Sequence, residues 1–194
     1  MQAPLRIAVL ASGSGSNAER LVRHFRHSAL AEVVLIGCDR PEAGVLQRAW
    51  DLGVPTYVFN GASLRDGSVL DELRDQRVDL LVLAGFLRLL PEALVRHFNG
   101  RAINIHPSLL PKHGGKGMYG DRVHEAVLAA GEQESGITVH LVNERFDEGR
   151  VLHQERCPVL PGDTVRSLAQ RIHALEHEHF PVVVEQQCRE LAGV

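Results

Sequence analysis

The sequence predicts an α/β protein built on a doubly wound, mostly parallel sheet that ends in an antiparallel C-terminal portion. Three observations point there. Short Val/Ile/Leu-rich runs alternate with amphipathic segments, as parallel strands alternate with crossover helices. A Gly/Ser-rich turn succeeds the first run directly, and the rhythm changes after residue 105.

The apolar runs Arg6–Leu10, Glu32–Gly37, Thr56–Phe59, Leu80–Ala84 and Ala102–Ile105 are each short enough to be buried strands. Between them, helical periodicity covers Asn17–His27, Ala43–Leu52, Leu64–Arg77 and Glu92–Phe98. A Gly-rich loop, Lys112–Gly120, leads to a helix over Asp121–Ala130. Gly136–Val142 and Arg150–Cys157 then alternate apolar and polar residues as antiparallel strands do. A closing helix starts at Thr164, where that hydroxyl or Asp163 supplies a cap, and runs to about His177; Pro181 is expected to punctuate the C-terminal segment.

At 194 residues without a low-complexity linker, one domain over 1–194 is expected. Its first half (about 1–100) carries the Gly/Ser-rich turn and its second (about 101–194) the remaining polar sites. A formal net charge of −3 argues against a nucleic-acid-coating surface. No apolar run approaches the length that spans a bilayer, and the start of the chain lacks the pattern of a secretory leader. Cys38, Cys157 and Cys188 are odd in number and widely spaced, which predicts reduced thiols and a cytoplasmic protein. The expected partners are small molecules, with neither nucleic acid nor membrane; a homodimer is compatible with the sequence, which does not fix the oligomeric state.

Two segments carry chemistry. In Ala11-Ser12-Gly13-Ser14-Gly15-Ser16-Asn17, glycines let the backbone approach an anion, and unpaired amides at a helix start can donate to phosphate. The plain alternative is a tight turn. GxGxxG is not satisfied, and the acid just past the second strand is Asp39. In Asn104-Ile105-His106-Pro107-Ser108-Leu109-Leu110-Pro111, strand alternation puts Asn104 and His106 on one face at a carboxyl strand end, where open α/β sheets bind ligands. Polar groups that merely cap a loop are the alternative there.

Asn-x-His-Pro-Ser-Leu-Leu-Pro, together with Gly-Ser-Gly-Ser-Asn, the segment Ala84–Leu90 and Asp147 before Gly149, resembles the phosphoribosylglycinamide formyltransferase family in order from about Arg6 to Val184. The resemblance implies a Rossmann-like formyltransferase fold and transfer of a formyl group from 10-formyltetrahydrofolate, as co-substrate, to the amine of glycinamide ribonucleotide in purine biosynthesis, without a metal. Asn104 would donate to the oxyanion and His106 act as general acid, while Asp147 would favour the charged imidazole and raise its pKa. Gly15, Ser16 and Asn17 would hold the nucleotide phosphate, and Glu176 the ribose or amine end. Arg65 and the Leu87, Arg88, Leu89 and Leu90 backbone would meet the folate, together with Asn104 and the Glu144–Gly149 loop that includes Asp147. A cis Pro111 is also implied.

Two departures stand out. The Lys112–Gly120 loop is longer than the family's, which predicts a mobile lid whose Lys116 either contacts phosphate or faces water; and Arg150 stands where many relatives have proline. His173-Ala174-Leu175-Glu176-His177 spells the H-x-x-E-H of a zinc peptidase, but no third ligand with supporting context accompanies it, and His177-Glu178-His179 reads as a polar helix end. Gly114-Gly115-Lys116-Gly117 fails the P-loop spacing. A noncatalytic nucleotide module would leave Asn104, His106 and Asp147 without purpose. Formyltetrahydrofolate hydrolases and methionyl-tRNA formyltransferases usually carry an extra N- or C-terminal domain, so the chain's length favours the ribonucleotide substrate as an expectation.

Overall fold

A computed structural model describes residues 3–194. Its strands are β1 (Leu5–Ala11), β2 (Ala31–Cys38), β3 (Thr56–Val58), β4 (Leu80–Leu83), β5 (Ala102–His106), β6 (Glu134–Leu141) and β7 (Val151–Pro158), and they form one sheet in the order β3-β2-β1-β4-β5-β6-β7. The pairs from β3 across to β5 are parallel, whereas β5–β6 and β6–β7 are antiparallel. Strand order reverses between β1 and β4, so their carboxyl ends diverge into a crevice at that point.

Period-two alternation divides the core between the two faces of the sheet. Ile7, Val9, Val82, Ile103 and Ile105 pack with α1 (Ser16–Phe25), α2 (Gly44–Leu52), α6 (Asp121–Ala129) and α7 (Val165–Ala192). Ala8, Leu10, Leu81 and Leu83 face the opposite way, under α3 (Gly61–Asp66), α4 (Ser68–Asp75) and α5 (Glu92–His97).

Two helix boundaries differ from expectation. The periodicity over Leu64–Arg77 is interrupted because Gly67 adopts a left-handed conformation (φ 98°), which ends α3 and begins α4, while Asp66 Oδ1 accepts from the Ser68 amide at 2.9 Å. Pro181 does not end the last helix; α7 runs 28 residues straight through it, so His177-Glu178-His179 lies within the helix and not at its end. An internal proline costs about 3 kcal/mol. Beyond it, however, Val183, Val184 and Cys188 are buried against the sheet, and burial of each large apolar side chain contributes about 1.5–3 kcal/mol. Thr164 caps the start of α7 through a reciprocal pair with Ser167.

The β6–β7 hairpin depends on Gly136, where a Cβ would overlap the Glu155 carbonyl oxygen. We expect Gly136→Ala to lower the free energy of unfolding by about 1–3 kcal/mol in urea denaturation; unchanged stability would mean that the hairpin can part there at no cost.

Candidate active site

Residues from both halves of the chain line a cleft of about 590 Å³ at the carboxyl edge of the sheet. On one side, β1 passes into a turn whose Gly15 has φ 78°, and a Cβ at that position would run into Val45, so glycine is required twice over. Gly15 caps α1 without any side-chain hydrogen bond, leaving the first amides of the helix facing the cleft. Asn17 Nδ2 donates to Glu176 Oε2 at 3.0 Å, and Asn17 Oδ1 is buried with no partner. Burial pushes the Glu176 carboxyl up, and the Asn17 bond only partly offsets this.

Asp39 is engaged by the protein's own side chains. It is buried, takes the Ser12 hydroxyl at 2.6 Å and the Arg88 Nε at 2.5 Å, and Ser12 Oγ in turn accepts the Leu87 amide at 3.1 Å. The chain Ser12–Asp39–Arg88 therefore joins the Gly/Ser-rich turn after β1 to the segment after β4. Leu87, Arg88, Leu89 and Leu90 all line the cleft.

On the other side, the antiparallel register sets Asn104 opposite His140 and His106 opposite Thr138. Gly149 lets the loop after β6 fold back tightly, because a Cβ there would overlap the Leu141 carbonyl oxygen. The loop thereby delivers Asp147, itself in the left-handed region (φ 58°), to both side chains. Asp147 Oδ2 lies 3.4 Å from His106 Nδ1, and Oδ1 accepts from Asn104 Nδ2 at 3.3 Å. His140 Nδ1 meets the Leu141 carbonyl at 2.8 Å and so carries a proton, which leaves its Nε2 to accept from Asn104 Nδ2 at 3.0 Å.

The Lys112–Gly120 loop is docked over this group. His106 Nε2 lies 2.8 Å from the His113 carbonyl, an acceptor only, so the proton sits on that nitrogen. Gly115 donates its amide to Asp147 Oδ2 at 2.9 Å, and Lys112 and His113 both reach Glu132. A Cβ at Gly114 would press on Leu110 and Asp147, which explains why this contact needs glycine. The Leu110–Pro111 bond is cis.

The electrostatics correct one expectation. His106 is only 4% exposed, and the loss of hydration outweighs the nearby Asp147 carboxylate, so its pKa lies below the ordinary histidine value and is not raised. For Asp147, burial pushes the pKa up, but the polar groups around it, His106 and the Gly115 amide among them, hold it below the usual carboxylate range.

Several residues missed by sequence reasoning also line the cleft, including His140, His124, Arg40 and Arg122, and so does His173 of the H-x-x-E-H segment. A histidine within an apolar strand is the one sequence signal for His140. Burial holds the His124 pKa down, and its Nδ1 is buried without a partner. Arg65 and Glu144 are exposed and lie outside the lining, although the Arg65 guanidinium shares the space beside Gly61 with that of Arg88. Lys116 does line the cleft. His173 and His177 stack with ring centroids 6.4 Å apart.

Fold and cleft together are those of an α/β protein whose strand-end site gathers an imidazole, a carboxamide and a carboxylate, a set suited to acyl-type chemistry. The chain belongs to the formyl transferase family, whose model matches residues 5–184. It is 37% identical over 187 residues to the phosphoribosylglycinamide formyltransferase of Bacillus subtilis, covering 93% of each chain. It is 41% identical over 191 residues to the chloroplastic phosphoribosylglycinamide formyltransferase of Vigna unguiculata, covering 95% of this chain but spanning only 61% of that protein. Among solved structures, glycinamide ribonucleotide transformylase 1 from Symbiobacterium toebii superposes with a TM-score of 0.89 at 34% identity, over 96% of this chain and 89% of the other.

Asp147 is the larger of two groups that raise the His106 pKa against burial, the His113 carbonyl being the other. In Asp147→Asn only the His113 carbonyl still opposes the loss of hydration, so the imidazole should titrate lower still, as followed by NMR. An unchanged or higher value would show that the carboxylate does not act on the ring.

Proposed function

We propose that this chain transfers the formyl group of 10-formyltetrahydrofolate to the amine of glycinamide ribonucleotide, giving N-formylglycinamide ribonucleotide and tetrahydrofolate in purine biosynthesis. The observation that carries the reading is the meeting of Asn104, His106 and Asp147 in the same cleft as the α1 start, in a family whose full-length bacterial relative bears that activity in its name.

In this reading the phosphate rests on the amides of Gly15, Ser16 and Asn17. The unpartnered Asn17 Oδ1 and the buried Glu176 receive donors from the ribose or amine end. The folate lies along the Leu87–Leu90 backbone and the loop containing Glu144 and Asp147, with Arg65 at its outer end. The free amine attacks the formyl carbon, and the carbonyl oxygen becomes an oxyanion that Asn104 Nδ2 and the His106 Nε2–H stabilise. One amine proton is then moved to N10 of the folate as the C–N10 bond breaks, with His106 as general acid and Asp147 balancing the imidazolium. Both donors are committed within the protein, Asn104 to His140 and Asp147, and His106 to the His113 carbonyl. Productive binding therefore displaces the docked loop from His106, and this gives the Lys112–Gly120 segment its role as a lid.

No metal and no covalent enzyme intermediate enters this scheme. The cysteines are buried free thiols, and burial pushes Cys188 up to about 12. We further propose a single domain acting in the cytoplasm on small molecules. No helix among the described residues is long and apolar enough to cross a membrane.

A steady-state assay with 10-formyltetrahydrofolate should show turnover with glycinamide ribonucleotide and little with water alone as acceptor; hydrolysis at an equal rate would refute the transferase reading. Separately, His106→Ala and Asp147→Asn should each lower kcat by about 10²–10⁴, whereas Asn17→Ala should raise the nucleotide dissociation constant. Near-normal turnover in the first two, or unaltered nucleotide affinity in the third, counts against the assigned roles.

A further inference from the structure

On the face of the sheet beneath α7, well separated in sequence from Asn104 and His106, three more ligating side chains meet. Alternation along β7 puts His153 and Glu155 on one face, paired across the ladder with Val139 and Ile137, which belong to the core that α7 covers. From α7, His179 lays its ring over His153, with centroids 5.5 Å apart and planes inclined by 24°. His153 Nε2 lies 3.9 Å from Glu155 Oε2 and is buried without a hydrogen-bond partner. Glu155 Oε1 takes the Arg156 amide at 3.1 Å, while the Arg156 side chain turns away to Glu134. The carboxylate thus keeps one oxygen facing the imidazole, with no cation of its own among the described residues. One ligand atom from each of the three residues lies within 4.8 Å of the others.

We propose that His153, Glu155 and His179 bind one divalent transition-metal ion of the zinc class, which fastens the middle of α7 to the edge strand. Two imidazole nitrogens and one carboxylate oxygen suit zinc, with water in the fourth position, whereas magnesium and calcium favour all-oxygen sets. Around such an ion the ligand atoms stand roughly 3.3 Å apart. The half-exposed side chains can close that gap by rotation, without moving the strand or the helix.

The position gives the ion a structural task. His179 sits two residues ahead of Pro181, which has no N–H to return to the His177 carbonyl, so the helix is least secured by its own backbone there. A metal clip at this turn supplies from the side chains what the ladder lacks. It uses neither the H-x-x-E-H pair His173 and His177 nor any residue assigned to formyl transfer.

The test is titration of the chelator-treated, full-length protein with Zn²⁺ by calorimetry, together with thermal unfolding with and without the ion. The expected result is one ion per chain, a midpoint raised by several degrees, and visible d–d absorption of low-coordinate geometry when Co²⁺ is used. His153→Ala/His179→Ala should weaken binding by more than about 100-fold and abolish the shift. Glu155→Gln, a near-isosteric change at a half-exposed side chain, should weaken it too, so the test survives if the double variant fails to fold. Absence of Zn²⁺ binding to the parent chain, or equal binding and an equal thermal shift in Glu155→Gln or in a folded double variant, overturns the proposal.

Discussion

The arrangement of the cleft depends on one carboxylate. Asp147 is contacted by the His106 imidazole, the Asn104 amide, the His140 ring and the Gly115 backbone amide. A buried acid is tolerated only when such partners compensate its lost hydration. Those partners come from three pieces of chain: the end of β5, the end of β6, and the glycine-rich loop. The acid therefore orders three segments at once, and the close approach allowed by Gly149 is what brings it there.

The hydrogen-bond donors at this end of the cleft are held by the protein itself. The Asn104 amide and the His106 Nε2–H each have a protein acceptor. Satisfied donors in a buried site spare the cleft unpaired polar groups, whose cost would be of order 1–3 kcal/mol each. A ligand carbonyl that takes these hydrogen bonds exchanges partners and does not create bonds from nothing. The net gain rests on how much better a charged oxygen accepts than a neutral carbonyl.

Much of this is legible in the residues. Alternation puts Asn104 and His106 on one face because strand geometry fixes it, and the Gly/Ser turn announces a backbone needing φ > 0 at Gly15. Asp147 is legible only through resemblance, since nothing local says that a loop acid 41 residues after His106 returns to it. His140 and His124 escape because only the β5–β6 register and the packing of α6 bring them to the cleft. Gly67 hides inside a helical periodicity, and Pro181 reads as a stop because local propensity does not register how much apolar surface α7 buries beyond it. Expecting a nearby acid to raise the His106 pKa likewise neglects burial, which depends on the tertiary fold.

The Ser12–Asp39–Arg88 chain has a consequence for how the two ends of the cleft communicate. A single interior charge is shared between the turn that precedes α1 and the strand-end segment about 75 residues further on. If an occupant at one end draws Arg88 or Ser12 away, the remaining partner must accommodate a less well neutralised anion, so the strain is felt at the opposite end. Occupancy at the two ends is then thermodynamically linked, and whatever factor the first guest imposes on the second, the second imposes on the first.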